Sequence, residues 1–261
     1  FAEMLVKMGI PYDSEEALGA GERLMQFVTD TARAASVELG RERGSFPNFE
    51  HSVWRQEGCD CLRNATVTSV APTGTIGLIA GVSSGIEPIF ALSYFRNIAD
   101  GTRLLEQNAL FESTARERGF YASDLMTAIA RTGSIREITD IPADVRRVFV
   151  TALDISPGWH VRMQAAFQKC TDNGVSKTVN LPHNATLRDV RDAYLLAHEL
   201  KCKGITVYRY GTRVGQTLYT GPSAPRIGRA QPTGVEDGDF ANQPFVEVGP
   251  EYTGECMECA P

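Results

Sequence analysis

Pro72, Thr73, Gly74 and Thr75 place two hydroxyl side chains around a residue without a Cβ, directly after a run of β-branched residues. If that run is a strand and a helix follows, the helix start presents amides with no internal acceptor and the positive end of its dipole. Both attract an anion such as phosphate. Gly74 lets the backbone approach a ligand closely, and Thr73 and Thr75 add hydroxyl donors. No Gly-Lys-Ser/Thr follows, so this is not a Walker loop. The same residues also make an ordinary turn with threonine as a helix cap, and the local pattern leaves both readings open.

Cys256 and Cys259 have the Cys-x-x-Cys spacing of a redox pair. Two thiols so close can exchange with a disulfide elsewhere, and a flexible segment would let them reach it. The spacing is equally half of a four-cysteine zinc knuckle, although two cysteines cannot complete a tetrahedral site. The remaining Cys59, Cys61, Cys170 and Cys202 are irregularly spaced and are expected to be buried structural residues. Six cysteines in 261 residues are too few for a disulfide scaffold. His160, after Trp159, and His198 are each expected to be a satisfied core histidine. Glu87 with Pro88, and Asp172 with Asn173, are polar pairs that capping and turn formation explain.

The elements that must position these residues follow from spacing. Asp13 and Glu16 form an N-terminal capping signature, and Leu24, Phe27, Val28, Thr31, Ala35 and Leu39 recur at helical intervals. A long amphipathic helix ending near Gly40 is expected. Residues 65–70 alternate and are rich in β-branched types, which predicts a strand. A tight loop follows at 71–75, then a buried helix starts at Ile76. Residues 104–119 and 123–132 read as helices, as does a segment beginning at Ser156 and Pro157, with serine as cap and proline in the first turn. Residues 177–181 and 205–208 read as strands separated by a helix from Thr186 through Lys201. That strand–helix–strand unit predicts parallel pairing and an α/β core.

Composition bounds the class. With 43% hydrophobic residues the chain can bury a substantial core. A net charge of −6 gives no basic footprint for polymeric nucleic acid, although backbone amides can still bind a nucleotide. No apolar run is long enough for a membrane span and no leader opens the sequence, so the expected location is cytoplasmic. The opening residues read like the middle of a helix, so the chain is expected to be a fragment. Residues 221–261 hold six of the 13 prolines and six of the 24 glycines without periodicity, which predicts a mobile tail.

Three longer strings add a resemblance. RNATVTSVAPTGTIGLIAGVSSGIEPIFALSYFRN (63–97), DISPGWHVRMQAAFQKCTDNGVSKTVNLP (154–182) and KGITVYRYGTR (203–213) resemble class II ribonucleotide reductases, in the same order as in that family. The opening FAEMLVKMGIPYDSEEAL is similar too. The resemblance covers roughly residues 1 to 219 and implies the C-terminal part of a ten-stranded α/β barrel, built from two parallel half-barrels and followed by the flexible tail at 220–261. It implies reduction of ribonucleotides to 2′-deoxyribonucleotides by radical chemistry, with adenosylcobalamin as cofactor. Pro72, Thr73, Gly74, Thr75 and Ile76 would then bind the phosphates of a ribonucleoside di- or triphosphate. Cys256 and Cys259 would pass electrons from a thioredoxin- or glutaredoxin-type reductant, and a second copy of the chain is a further candidate partner.

The same resemblance marks what this sequence lacks. The family uses a thiyl-radical cysteine, a reducing cysteine pair and an Asn/Glu pair, and the Asn-x-Cys-x-Glu signature is absent here. Turnover by this polypeptide alone is not expected. Arg209 separates Tyr208 from Tyr210, where the di-iron class carries two adjacent tyrosines that relay a radical. The cobalamin class is therefore favoured over a di-iron large subunit. A non-catalytic nucleotide- or metal-binding module is the alternative of a different kind.

Overall fold

The structure, a computed structural model, describes residues 1–97, 103–212, 218–219 and 246–247. A short helix α1 (Ala2–Lys7) leads into the 29-residue helix α2 (Glu15–Arg43). The cap of α2 is Ser14, whose hydroxyl accepts from the Ala17 amide, rather than Asp13. The helix runs past Gly40 to Arg43, where Gly44 stops it with φ +79°.

The face α2 buries is not the expected one. Leu24, Phe27, Val28 and Leu39 are exposed, while Ala17, Ala20, Gly21, Met25, Thr29, Ser36 and Gly40 face the interior. Small residues win because the partner helix lies very close. A Cβ on Gly21 would stand 2.6 Å from the Phe167 ring. Thr29 also bonds inward, its hydroxyl donating to the Cys170 carbonyl at 2.6 Å.

After α3 (Val53–Gln56), residues 65–70 form no strand ladder. A single parallel bridge joins Val70 to Val175, with the Val70 amide donating to the Gly174 carbonyl at 3.2 Å. Asp172 fastens this segment by accepting from the Val67 amide at 2.8 Å and from Arg33 at 2.9 Å. The next helix, α4 (Gly74–Ile79), starts two residues earlier than expected and is not buried, since Ile76 and Ile79 are largely exposed.

Strands β1 (Ser93–Asn97) and β2 (Arg103–Gln107) pair antiparallel, and neither was expected. Residues 104–107, read as helix, are strand. Helix α5 (Ala109–Glu117) begins only after Asn108, whose side chain accepts from the Phe111 amide. Helix α6 (Ser123–Thr132) falls where its periodicity put it and packs on β1 and β2. Helix α7 (Ala143–Val148) has no counterpart in the sequence reading.

Helix α8 (Pro157–Gln168) begins at the expected place, but Ser156 makes no side-chain cap bond. His160, Val161, Met163, Gln164, Ala165, Ala166 and Phe167 are buried on all sides of it, the pattern of a helix enclosed by the core. Strand β3 (Thr178–Leu181), helix α9 (Leu187–Glu199) and strand β4 (Thr206–Arg209) form the predicted unit, and the two strands are parallel. Thr186 and Asp189 complete the capping box of α9.

Two further short strands, β5 (Leu218–Tyr219) and β6 (Val246–Glu247), flank the β1–β2 hairpin in the order β5-β1-β2-β6. The described residues thus form an α/β arrangement with one parallel pair and one mostly antiparallel sheet. The main core joins α1, α2 and α8 to α5, α6 and α7 through Leu5, Met25, Phe111, Met126, Ile129, Met163 and Phe167. A smaller core under α9 holds Val161, Val179, Leu181 and Ala193. Among the described residues no helix is long and apolar enough to cross a membrane.

Candidate functional site

A cleft of about 810 Å³ lies where the turn after α4, the start of β3 and the β2–α5 junction converge. Pro72, Thr73 and Gly74 line it, whereas Thr75 and Ile76 stand outside its wall and are exposed. Nothing lies within 4 Å of where a Gly74 Cβ would be, so the backbone there is open to a ligand. Thr73 is half-buried, its carbonyl accepts from the Gly77 amide at 2.8 Å, and its hydroxyl pairs with that of Ser84 at 3.1 Å. The turn carrying Ser84 packs against it closely. Gly85, at φ +50°, would place a Cβ 3.3 Å from Thr73 Oγ1.

Behind this wall is a polar network that sequence reasoning missed. Lys177 is fully buried, and its ammonium donates to Glu87 Oε2 at 2.9 Å, to His160 Nδ1 at 3.0 Å and to the Thr178 carbonyl at 3.1 Å. Three acceptors match the three protons of a charged amine. Burial pushes the Lys177 pKa down, and the Glu87 carboxylate holds the proton against it. The other Glu87 oxygen accepts from the Thr178 amide at 2.6 Å.

His160 is completely buried, as expected of a core histidine, and its Nε2 lies 2.9 Å from the Ala152 carbonyl. A carbonyl only accepts, so Nε2 carries the proton and Nδ1 receives the bond from Lys177. Burial first, and the neighbouring Lys177 charge second, push its pKa down to about 3. Tyr12, whose ring is 5.7 Å from the ammonium, donates to the Ile86 carbonyl at 2.6 Å, and burial drives its pKa well up.

Other expectations fare differently. His198 is exposed and is not a core residue. Cys59, Cys61, Cys170 and Cys202 are half-buried free thiols rather than fully buried ones. Burial pushes the Cys170 and Cys202 thiols up, away from the reactive range. Cys256 and Cys259 lie outside the described residues. No group of three or more His, Cys, Asp or Glu among the described residues is placed to hold a metal ion.

A family model for the ribonucleotide reductase barrel domain matches residues 1–61 and 59–208, which together take in the first two strings, the start of the third and the whole cleft. The chain belongs to the ribonucleotide reductase barrel domain family. Two similar relatives carry the name vitamin B12-dependent ribonucleoside-diphosphate reductase. That of Thermoplasma acidophilum is 50% identical over 221 residues, covering 85% of this chain and 28% of its own length. That of Mycobacterium tuberculosis is 51% identical over 229 residues, covering 88% and 33%. The chain therefore spans about a third of the reductases it matches. Among solved structures, an Actinobacillus ureae class Id ribonucleotide reductase alpha subunit superposes with a TM-score of 0.65 at 23% identity, over 80% of this chain and 37% of that one, a likeness of fold.

Proposed function

We propose that this chain forms the substrate-phosphate side of an adenosylcobalamin-dependent ribonucleotide reductase, which reduces ribonucleotides to 2′-deoxyribonucleotides. The observation that carries the reading is the seating of Pro72, Thr73 and Gly74 on the wall of a cleft of about 810 Å³, with open backbone at Gly74. First-turn amides of α4 and the threonine hydroxyls suit an anionic phosphate. Thr75 and Ile76 complete the motif from outside the wall. Identity near one half to relatives named for vitamin B12 favours the cobalamin class.

In the finer architecture, residues 1–219 belong to the catalytic barrel and 220–261 to a tail. Three neighbouring parallel segments, at Val70, β3 and β4, suit one half of a ten-stranded barrel. In the tail, Cys256 and Cys259 receive electrons from a thioredoxin- or glutaredoxin-type protein. His160 has both ring nitrogens engaged, by the Ala152 carbonyl and by Lys177, and offers no free nitrogen to a metal.

The test is ribonucleotide reduction by the full-length protein with a dithiol reductant, with and without adenosylcobalamin. Turnover that requires the cofactor supports the class. Turnover without it, or a folded protein that binds nucleotide and never turns over, refutes it.

A further inference from the structure

Among the ionisable groups on the cleft wall is Glu87, a carboxylate that the phosphate loop does not account for. Glu87 keeps 24% of its side chain exposed at the cleft while both oxygens are held from behind, by Lys177 and by the Thr178 amide. Buried ion pairs are poor devices for stability, since well-packed apolar residues often do as well. Their best-attested use is to select one arrangement among several.

The contacts run in an unbroken line to the loop. His160 is fixed to the Ala152 carbonyl and holds Lys177, which holds Glu87. The Glu87 amide donates to the Ser84 carbonyl at 2.8 Å and closes the turn, and the Ser84 hydroxyl meets that of Thr73 at 3.1 Å. The far side of the turn is tethered as well, because Glu3 accepts from the Ser83 amide at 3.1 Å. The anchoring end is rigid: Lys177 precedes β3, whose Val179 and Leu181 are fully buried.

We propose that Glu87 is a positioning residue for substrate binding, in which its clamp by Lys177 and the Thr178 amide sets the Ser84 turn against Thr73 and so fixes the phosphate loop. The inference rests on the phosphate-loop reading of this cleft. Glu87 lies outside the loop itself, and its charge is balanced from behind by Lys177. Loss of the clamp leaves the chemistry in place and loosens the loop that holds the substrate.

The test uses the full-length enzyme with adenosylcobalamin and a dithiol, comparing Glu87→Gln, the double variant Glu87→Gln/Lys177→Met, and Thr73→Val. Glu87→Gln keeps an acceptor for the Thr178 amide but removes the charge. The double variant leaves no unbalanced charge and therefore folds even where the single one does not. KM and kcat for cytidine 5′-diphosphate are measured, together with equilibrium binding of the diphosphate and of cytidine. Expected is a KM raised about tenfold, or ~1.4 kcal/mol, in both Glu87 variants, with kcat changed less and cytidine binding unaltered. Thr73→Val should raise KM as well. Wild-type KM in both Glu87 variants, or a loss of kcat alone, would overturn the positioning role while Thr73→Val still speaks for the loop. If Thr73→Val also leaves KM unchanged, the loop reading fails and the inference falls with it.

Discussion

The three acceptors around Lys177 decide the state of His160, and this has a consequence that stability measurements can read. With Nδ1 facing an ammonium and Nε2 donating to a carbonyl, the folded protein has no room for a second ring proton. The pKa of His160 falls from 6.5 in the unfolded chain to about 3 when folded. The unfolded state therefore binds the extra proton first. Stability from the neutral ring is fully present above pH 6.5 and is lost as pH falls from 6.5 toward 3, by about 2 kcal/mol at pH 5. In urea unfolding, wild type should lose its advantage over His160→Gln across that window. Parallel profiles for the two proteins would sink this assignment. Thr73 and Gly74 were legible in the sequence because their chemistry is local, two hydroxyls and a glycine between extended chain and helix. The network was not. Glu87 and Lys177 lie 90 positions apart, and composition places lysine outside, so only the fold brings them together.

At the level of elements, apolar spacing and turn signals located α6, α8, β3, α9 and β4, and of these three helices only α9 carries a side-chain cap. Spacing misleads at α2 because its larger apolar residues face outward, while close approach of α8 selects Ala17, Ala20 and Gly21 for the inner face. It failed at β2 because Leu104 and Leu105 are both buried, which removes alternation, and because the Leu and Phe spacing continues into α5 at helical intervals. Gly21 permits a direct test of the packing argument. In an isolated helix, alanine is better than glycine by about 1 kcal/mol. Here the added Cβ would meet Phe167 at 2.6 Å and Phe1 at 3.3 Å, and Phe167 is itself buried in a ring contact with Phe1. Overpacking of this kind costs roughly 1–3 kcal/mol. Gly21→Ala should therefore lower the thermal midpoint despite its better helix propensity. A raised midpoint would mean that the Phe167 ring turns aside without loss.

On the scale of the whole molecule, the chain spans about a third of the length of the reductases it is similar to, and its cysteines have to be judged against that length. The four thiols within the described residues are half-buried, and burial raises those of Cys170 and Cys202, which makes these two poor partners for exchange. Cys256 and Cys259 are the pair with redox spacing, and they follow a segment rich in proline and glycine. A shuttle must serve two partners, a protein reductant outside and a disulfide in the active site, whereas a small dithiol can reach the active site directly. Cys256→Ser and Cys259→Ser in the full-length enzyme should therefore abolish turnover driven by thioredoxin and leave turnover driven by dithiothreitol near that of wild type. A zinc half-site makes the opposite demand. It would show tightly bound zinc in the purified protein, lost in either variant, with both reductants affected alike because the metal supports structure rather than electron transfer.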